Sequence, residues 1–158
     1  MVDKPVTKKK FNEGLDVSQK IREGGVLAKM YLGVQGNNKE AAKKALENTI
    51  HNKLEAEGNI SLLEVKMYDI DKQGKGFFSG VAEVDFVADD FRWLISTVLR
   101  YGPSAFEILE PAEVRLNSEM MHSIAADVCD FSHMYSQQII AMFKDPERRA
   151  LYEKMING

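Results

Sequence analysis

Glu119 and His122 stand three residues apart, and eleven residues further on Asp130 and His133 repeat the spacing. On a helix this spacing puts a carboxylate and an imidazole on one face, the device by which facing helices of carboxylate bundles hold two metal ions. Eleven residues make about three turns, so both pairs look the same way, but the helical rise separates them by about 16 Å. One ion cannot bridge that distance along a single helix. An antiparallel helix pair across a dimer would set Glu119 and His122 against Asp130 and His133 of the second copy. A di-metal centre, however, uses more carboxylates than these, and a solvated polar edge accounts for the same residues. A metal-dependent enzyme built on these four residues is therefore the alternative reading.

Cys129 and His133 have helical i, i+4 spacing, which suits a nucleophile with its base or two zinc ligands. Two such residues complete neither site, and Cys129 between Val128 and Phe131 is expected to be buried and inert. His51 has no partner in sequence and is expected at the surface. There is no GxxxxGK[ST] segment and no GxGxxG after a strand, so nucleotide hydrolysis is not expected. No catalytic residue is nominated and no cofactor is expected; the reading leans away from an enzyme.

The segment that carries the acid–histidine pairs also carries an apolar stripe at helical spacing: Met121, Ile124, Val128, Phe131, Tyr135, Ile139, Met142 and Phe143. Such a stripe must be covered, and methionine side chains adapt to partners and ligands. Met121, Val128, Phe131, Tyr135 and Met142 are the expected contacts of a homodimer.

The elements that would hold these residues follow from periodicity. Val26, Ala28, Met30, Leu32 and Val34 alternate with Lys29, Tyr31 and Gln35, which predicts a half-buried strand. Asn37 or Asn38 can cap a helix whose apolar positions run from Ala42 to Leu54, with Gly58 as an expected left-handed end. Leu63, Val65 and Met67 share the face of a second strand. Phe78, Ala82, Val84 and Phe86 share that of a third, joined to the second by a turn-rich stretch holding Gly74 and Gly76. Asp89 and Asp90 open a second helix with Phe91, Leu94, Ile95, Val98 and Leu99 inward. Gly102 and Pro103 stop it, and Ala105 to Leu109 make a fourth strand.

The order β-α-β-β-α-β predicts an α+β fold of the ferredoxin-like, split β-α-β type: a four-stranded antiparallel sheet with both helices on one face. Asn117 or Ser118 starts a helix reaching about Phe143, and Asp145-Pro146 caps a last one over 147–156. Residues 1–23, with Lys8, Lys9 and Lys10, are expected as a flexible basic arm. Residues 24–115 are the expected domain, and 116–158 a helical extension.

Residues 93–115 also carry a family pattern: Trp93 on a helix, the turn Tyr101-Gly102-Pro103, a short strand, and then Glu110-Pro111, Glu113 and Arg115. This resembles the C-terminal WCX domain of WYL-type transcription regulators. The resemblance implies a ferredoxin-like domain serving oligomerisation or ligand sensing. It covers about one seventh of the chain and does not extend to a DNA-reading domain. As a whole the chain also resembles small proteins of archaeal type, which implies no function.

Composition fits a globular protein, with 44% apolar and 28% charged residues. A net charge of -3 gives no basic footprint for nucleic acid. Tyr31 and Tyr68 on the outer sheet face could stack bases, making an RNA-binding accessory protein a third reading. Ser79, Val81, Glu83 and Asp85 share that face, and their carboxylates repel phosphate. The single cysteine allows no intrachain disulfide and suits a reducing compartment. Met1 to Lys10 lacks the apolar core of a signal peptide, and no run is long and apolar enough to span a membrane. The sequence thus predicts a cytoplasmic, non-enzymatic regulatory or ligand-binding module that forms a homodimer and takes a small-molecule ligand.

Overall fold

Alternation lays down the strands, and capping side chains mark where the helices begin. The computed structural model describes residues 4–158 as a mixed α+β chain. It falls into two compact units, the first ending at Arg115 and the second spanning Leu116–Gly158.

The first unit holds β1 (Thr7–Lys10), β2 (Val26–Gly36), β3 (Ile60–Met67), β4 (Asp71–Lys72), β5 (Phe78–Ala88) and β6 (Ala105–Glu110). They form one sheet in the order β1-β3-β5-β2-β6, with β4 beside β5 and every pairing antiparallel. The sheet is thus larger than the four strands expected, because β1 and β4 join it. Residues 4–23 of the expected basic arm carry β1 and a short helix, α1 (Val17–Arg22); residues 1–3 lie outside the described part. Thr7 to Lys10 pair with Met67 to Glu64, and flanking bonds from Val6 N to Met67 O and Phe11 N to Leu63 O clamp both ends.

Each helix start is a satisfied cap. Asn38 accepts from Ala41 N at 2.9 Å to open α2 (Lys39–Asn48), and Asp90 accepts from Trp93 N at 2.9 Å to open α3 (Phe91–Tyr101). Gly102 ends α3 in the left-handed conformation, with φ of 53°. Gly58 does not play that part: α2 runs on as a π-helical stretch, Thr49–Leu54, and Gly58 has no positive φ.

Leu46, Ile50, Leu54 and Leu94 pack with Val26, Ala28, Met30, Leu32, Val84 and Phe86 in one buried cluster. Within the first unit α2 and α3 therefore cover one sheet face and leave the other open. A register shift between Leu62 and Glu64 changes which β3 residues face the core. Leu62, rather than the expected Leu63, is buried there beside Val65 and Met67.

The second unit is a helix pair. Asn117 caps α4 (Ser118–Met142), accepting from Met120 N at 2.8 Å. Asp145 caps α5 (Pro146–Asn157), with Pro146 at its start. Phe143 and Tyr152 meet edge to face at 5.4 Å between centroids. Among the described residues, no helix is long and apolar enough to cross a membrane.

Candidate functional site

The strand registers bring charged residues from distant parts of the chain into rows across the open sheet face. One row reads Lys8, Lys66, Glu83, Tyr31 and Ala105 across β1, β3, β5, β2 and β6; the next reads Lys10, Glu64, Asp85, Lys29 and Glu107. Four ammoniums meet four carboxylates in these two rows, so the face is self-neutralising.

Glu83 is the hub. Its Oε1 accepts from Lys29 Nζ at 2.6 Å and from Lys66 Nζ at 3.2 Å, and its Oε2 accepts from Tyr68 Oη at 3.2 Å. The hydrogen bond from Lys29 leads the influences that hold the Glu83 carboxyl below its ordinary range. Burial pushes Glu64 upward, but Lys8 at 3.1 Å and Lys66 at 3.4 Å outweigh it and hold this carboxyl low too. Asp85 goes the other way. Its Oδ1 is buried without a hydrogen-bond partner, Lys29 Nζ stands 3.6 Å off, and desolvation raises its pKa.

Beside this lattice lies a cavity of about 610 Å³, lined by Tyr31, Tyr68, Asp69, Asp71, Ser79 and Glu83, with Val81 and Gly80 from β5 and Lys4 from the N-terminal segment. Tyr31 stands on β2, Tyr68 and Asp69 follow β3, and Asp71 lies on β4. Burial and the bond to Glu83 raise the Tyr68 pKa, keeping the phenol neutral. Asp69 is held low by Lys39 at 3.2 Å and by the Ile70 N–H. The turn that carries these groups is anchored by Ile70, which is buried against Gly80. A side chain at Gly80 would run into it, since its Cβ would lie 2.8 Å from Ile70 Cγ1.

A second cleft, of about 620 Å³, lies between the end of the π-helical stretch and α3. Its polar groups are turned on each other: Glu57 Oε1 accepts from Arg100 Nη1 and from Tyr101 Oη, each at 2.6 Å. Burial, reinforced by that bond, pushes Tyr101 up to about 12.

Glu119, His122, Asp130 and His133 all sit on α4 and are exposed. Among the described residues, no three His, Cys, Asp or Glu side chains gather closely enough to hold a metal ion. Cys129 is exposed, not buried as expected, as is its neighbour Val128 on the uncovered apolar stripe. Met121, Val128, Tyr135 and Met142 are exposed, while Phe131 is half-buried and stacks on Tyr135 at 6.2 Å. His51 does find partners: Glu55 Oε2 at 3.4 Å and the ring of Phe11. Alternation in the sequence places Tyr31, Lys29, Tyr68, Ser79, Val81, Glu83 and Asp85 outward, as found, but does not bring Lys8, Asp69 and Asp71 to them.

Residues 27–154 match the family model of the MJ0538 family. The chain belongs to the MJ0538 family. In this MJ0538-family chain the match runs from β2 into α5, so both units are part of the family pattern. It is not a match to WYL-type regulators, and nothing supports the WCX resemblance of residues 93–115. The turn at Gly102 needs no such kinship: a helix ending in a left-handed glycine before Pro103 accounts for it. No curated protein and no solved structure matches the chain.

Proposed function

We propose that this MJ0538-family protein is a cytoplasmic, non-enzymatic binding module whose ligand site is the cavity on the open sheet face. The observation that carries this reading is the convergence of two tyrosines, three carboxylates and a serine hydroxyl around about 610 Å³. That volume lies within the range of small-molecule sites. The neighbouring lysines are engaged with Glu83 and Glu64, which weighs against RNA as the occupant, since phosphate binding needs free cations. The test is a thermal-shift screen of the full chain against a small-metabolite panel, repeated with Val81→Trp, which fills the cavity from an outward position of β5. Hits that disappear in the variant are expected; hits that persist unchanged would place the ligand elsewhere.

We read the sheet as a ferredoxin-like core of β2, α2, β3, β5, α3 and β6, extended by β1 and β4. The strand order β3-β5-β2-β6 with the helices on one face supports it.

Homodimerisation through α4 is the second reading, favoured by the exposure of Met121 (51%), Tyr135 (55%) and Met142 (77%) along one helix. Light scattering of the full chain should give twice the monomer mass, and Val128→Glu should halve it. A monomer at every concentration would remove this reading. The metal reading of Glu119, His122, Asp130 and His133 requires two such helices, so metal analysis of freshly purified protein belongs beside that measurement.

A further inference from the structure

The ligand class follows from which polar groups around the open-face cavity are already engaged. Lys29 and Lys66 are bound to Glu83, and Lys39 to Asp69. Among the described residues, the Asp71 carboxylate has no ion pair, and the hydroxyls of Tyr31 and Ser79 have no hydrogen-bond partner. The free groups that an incoming molecule meets are therefore one carboxylate and two hydroxyls that donate or accept, with one cation, Lys4, at the wall.

An anion would have to approach Asp69, Asp71 and Glu83 together, and could recruit Lys29 or Lys66 only by breaking their bonds to Glu83. A compact metal ion is equally poorly served. Hard cations take six or more oxygens at short range, and no three carboxylates or imidazoles come together among the described residues. Here the carboxylates are spread around a wide space instead. What such a space suits is a charge carried on an organic body, because tyrosine faces attract cations as well as apolar stems.

We propose that the cavity takes a small organic cation, a primary ammonium or a guanidinium, set against Tyr31 and Tyr68 and paired with the Asp71 carboxylate. This rests on the reading of that cavity as the binding site. Lys4 is then a competitor within the chain: its ammonium lines the same wall, and removing it favours the ligand.

The experiment is an amide-resolved NMR titration of the full chain with agmatine and spermidine, matched against glutarate and inorganic phosphate at physiological salt. Saturable shifts confined to residues 68–71 and 79–83, produced by the cations alone, are the expected result. Asp71→Asn should weaken agmatine binding about fivefold or more, and Lys4→Ala should tighten it. Should glutarate or phosphate shift those amides while the amines do not, the ligand class is wrong and the cavity stands as the site. If agmatine and spermidine move only amides scattered over the acidic surface, and no probe reaches 68–71 or 79–83, both the class and the site fall.

Discussion

Lys29 lies directly opposite Asp85 across β2 and β5, yet its ammonium reaches past that partner to Glu83, at 2.6 Å against 3.6 Å. The choice follows from the lattice. Glu83 also receives Lys66 and Tyr68, so its negative charge is concentrated where several donors converge. Asp85 Oδ1 is left buried without a hydrogen bond. Cross-strand pairs ordinarily favour the residue directly opposite; here a better-connected diagonal neighbour wins.

The cost falls on Asp85. Desolvation raises its folded pKa above the unfolded one, so its ionised form opposes folding, and that penalty is relieved as pH falls through the raised value. Asp85→Asn should therefore leave stability at pH 7 unchanged or raise it by about 0.5–1 kcal/mol. The gain should fade in acid, where wild-type Asp85 is protonated. Urea melts at pH 7 and pH 4 check this, and a loss at pH 7 would show that Lys29 stabilises Asp85 more than its distance suggests.

Lys29→Ala should be costly by contrast. It leaves Glu83 with Lys66 and Tyr68 only, and takes from Asp85 the ammonium that stands 3.6 Å away, with Lys66 remaining further off. Removing one partner of a half-buried pair should cost about 1–3 kcal/mol. In a double-mutant cycle with Glu83→Gln the two losses should fall well short of additive. Additive losses would mean that the 2.6 Å contact carries no coupling.

The pH profile of stability should have two limbs, one from the carboxylates and one from their donors. Glu83, Glu64 and Glu57 have lowered pKa values, so their contribution is complete above the ordinary carboxylate range and is lost as pH falls through the folded values. Tyr101 is raised from 10.0 to about 12, so its contribution is complete below 10 and is lost as pH rises toward 12. Lys29 and Lys66, also raised, add to that alkaline loss. Thermal melts from pH 3 to 11 should show both limbs, and Tyr101→Phe should flatten the alkaline one and remove the Glu57 share of the acid one, whose lowering the Tyr101 bond leads, while the Glu83 and Glu64 shares persist.

Much of the fold could be read from neighbours in sequence, because its signals are local. Asn38 and Asn117, each one of two residues expected at a helix start, Asp90 of the acidic pair and Asp145 cap their helices, and the alternation from Val26 to Val34 marks β2. β1 was missed because Thr7-Lys8-Lys9-Lys10 has no apolar face; backbone bonds to β3 and the pairing of Lys8 with Glu64 hold it. Lysines also suit it as a sheet edge that discourages further strands. The phase error at Leu63 came from a register shift that no pattern of two can encode. The cavity draws on residues 31, 68–71 and 79–83, whose juxtaposition is a product of sheet order rather than of any motif.

Gly25 shows the same dependence on tertiary approach and gives a sharp test. A Cβ there would stand 2.7 Å from Lys20 O, 3.0 Å from Lys20 C and 3.2 Å from Ala88 O, all backbone atoms that no rotamer change can move aside. The Gly25 N–H also donates to Lys20 O at 2.8 Å, tying the end of α1 to the start of β2. Gly25→Ala must therefore push α1 off the sheet end or strain β2 where it pairs with Ala88, at a cost of about 2–4 kcal/mol. Gly14 has nothing within 4 Å of the same construction, so Gly14→Ala should change stability by no more than about 0.5 kcal/mol. Denaturant midpoints of the two variants, compared with the parent, should differ in that order. Equal midpoints would mean that α1 is free to move away from β2 at no cost.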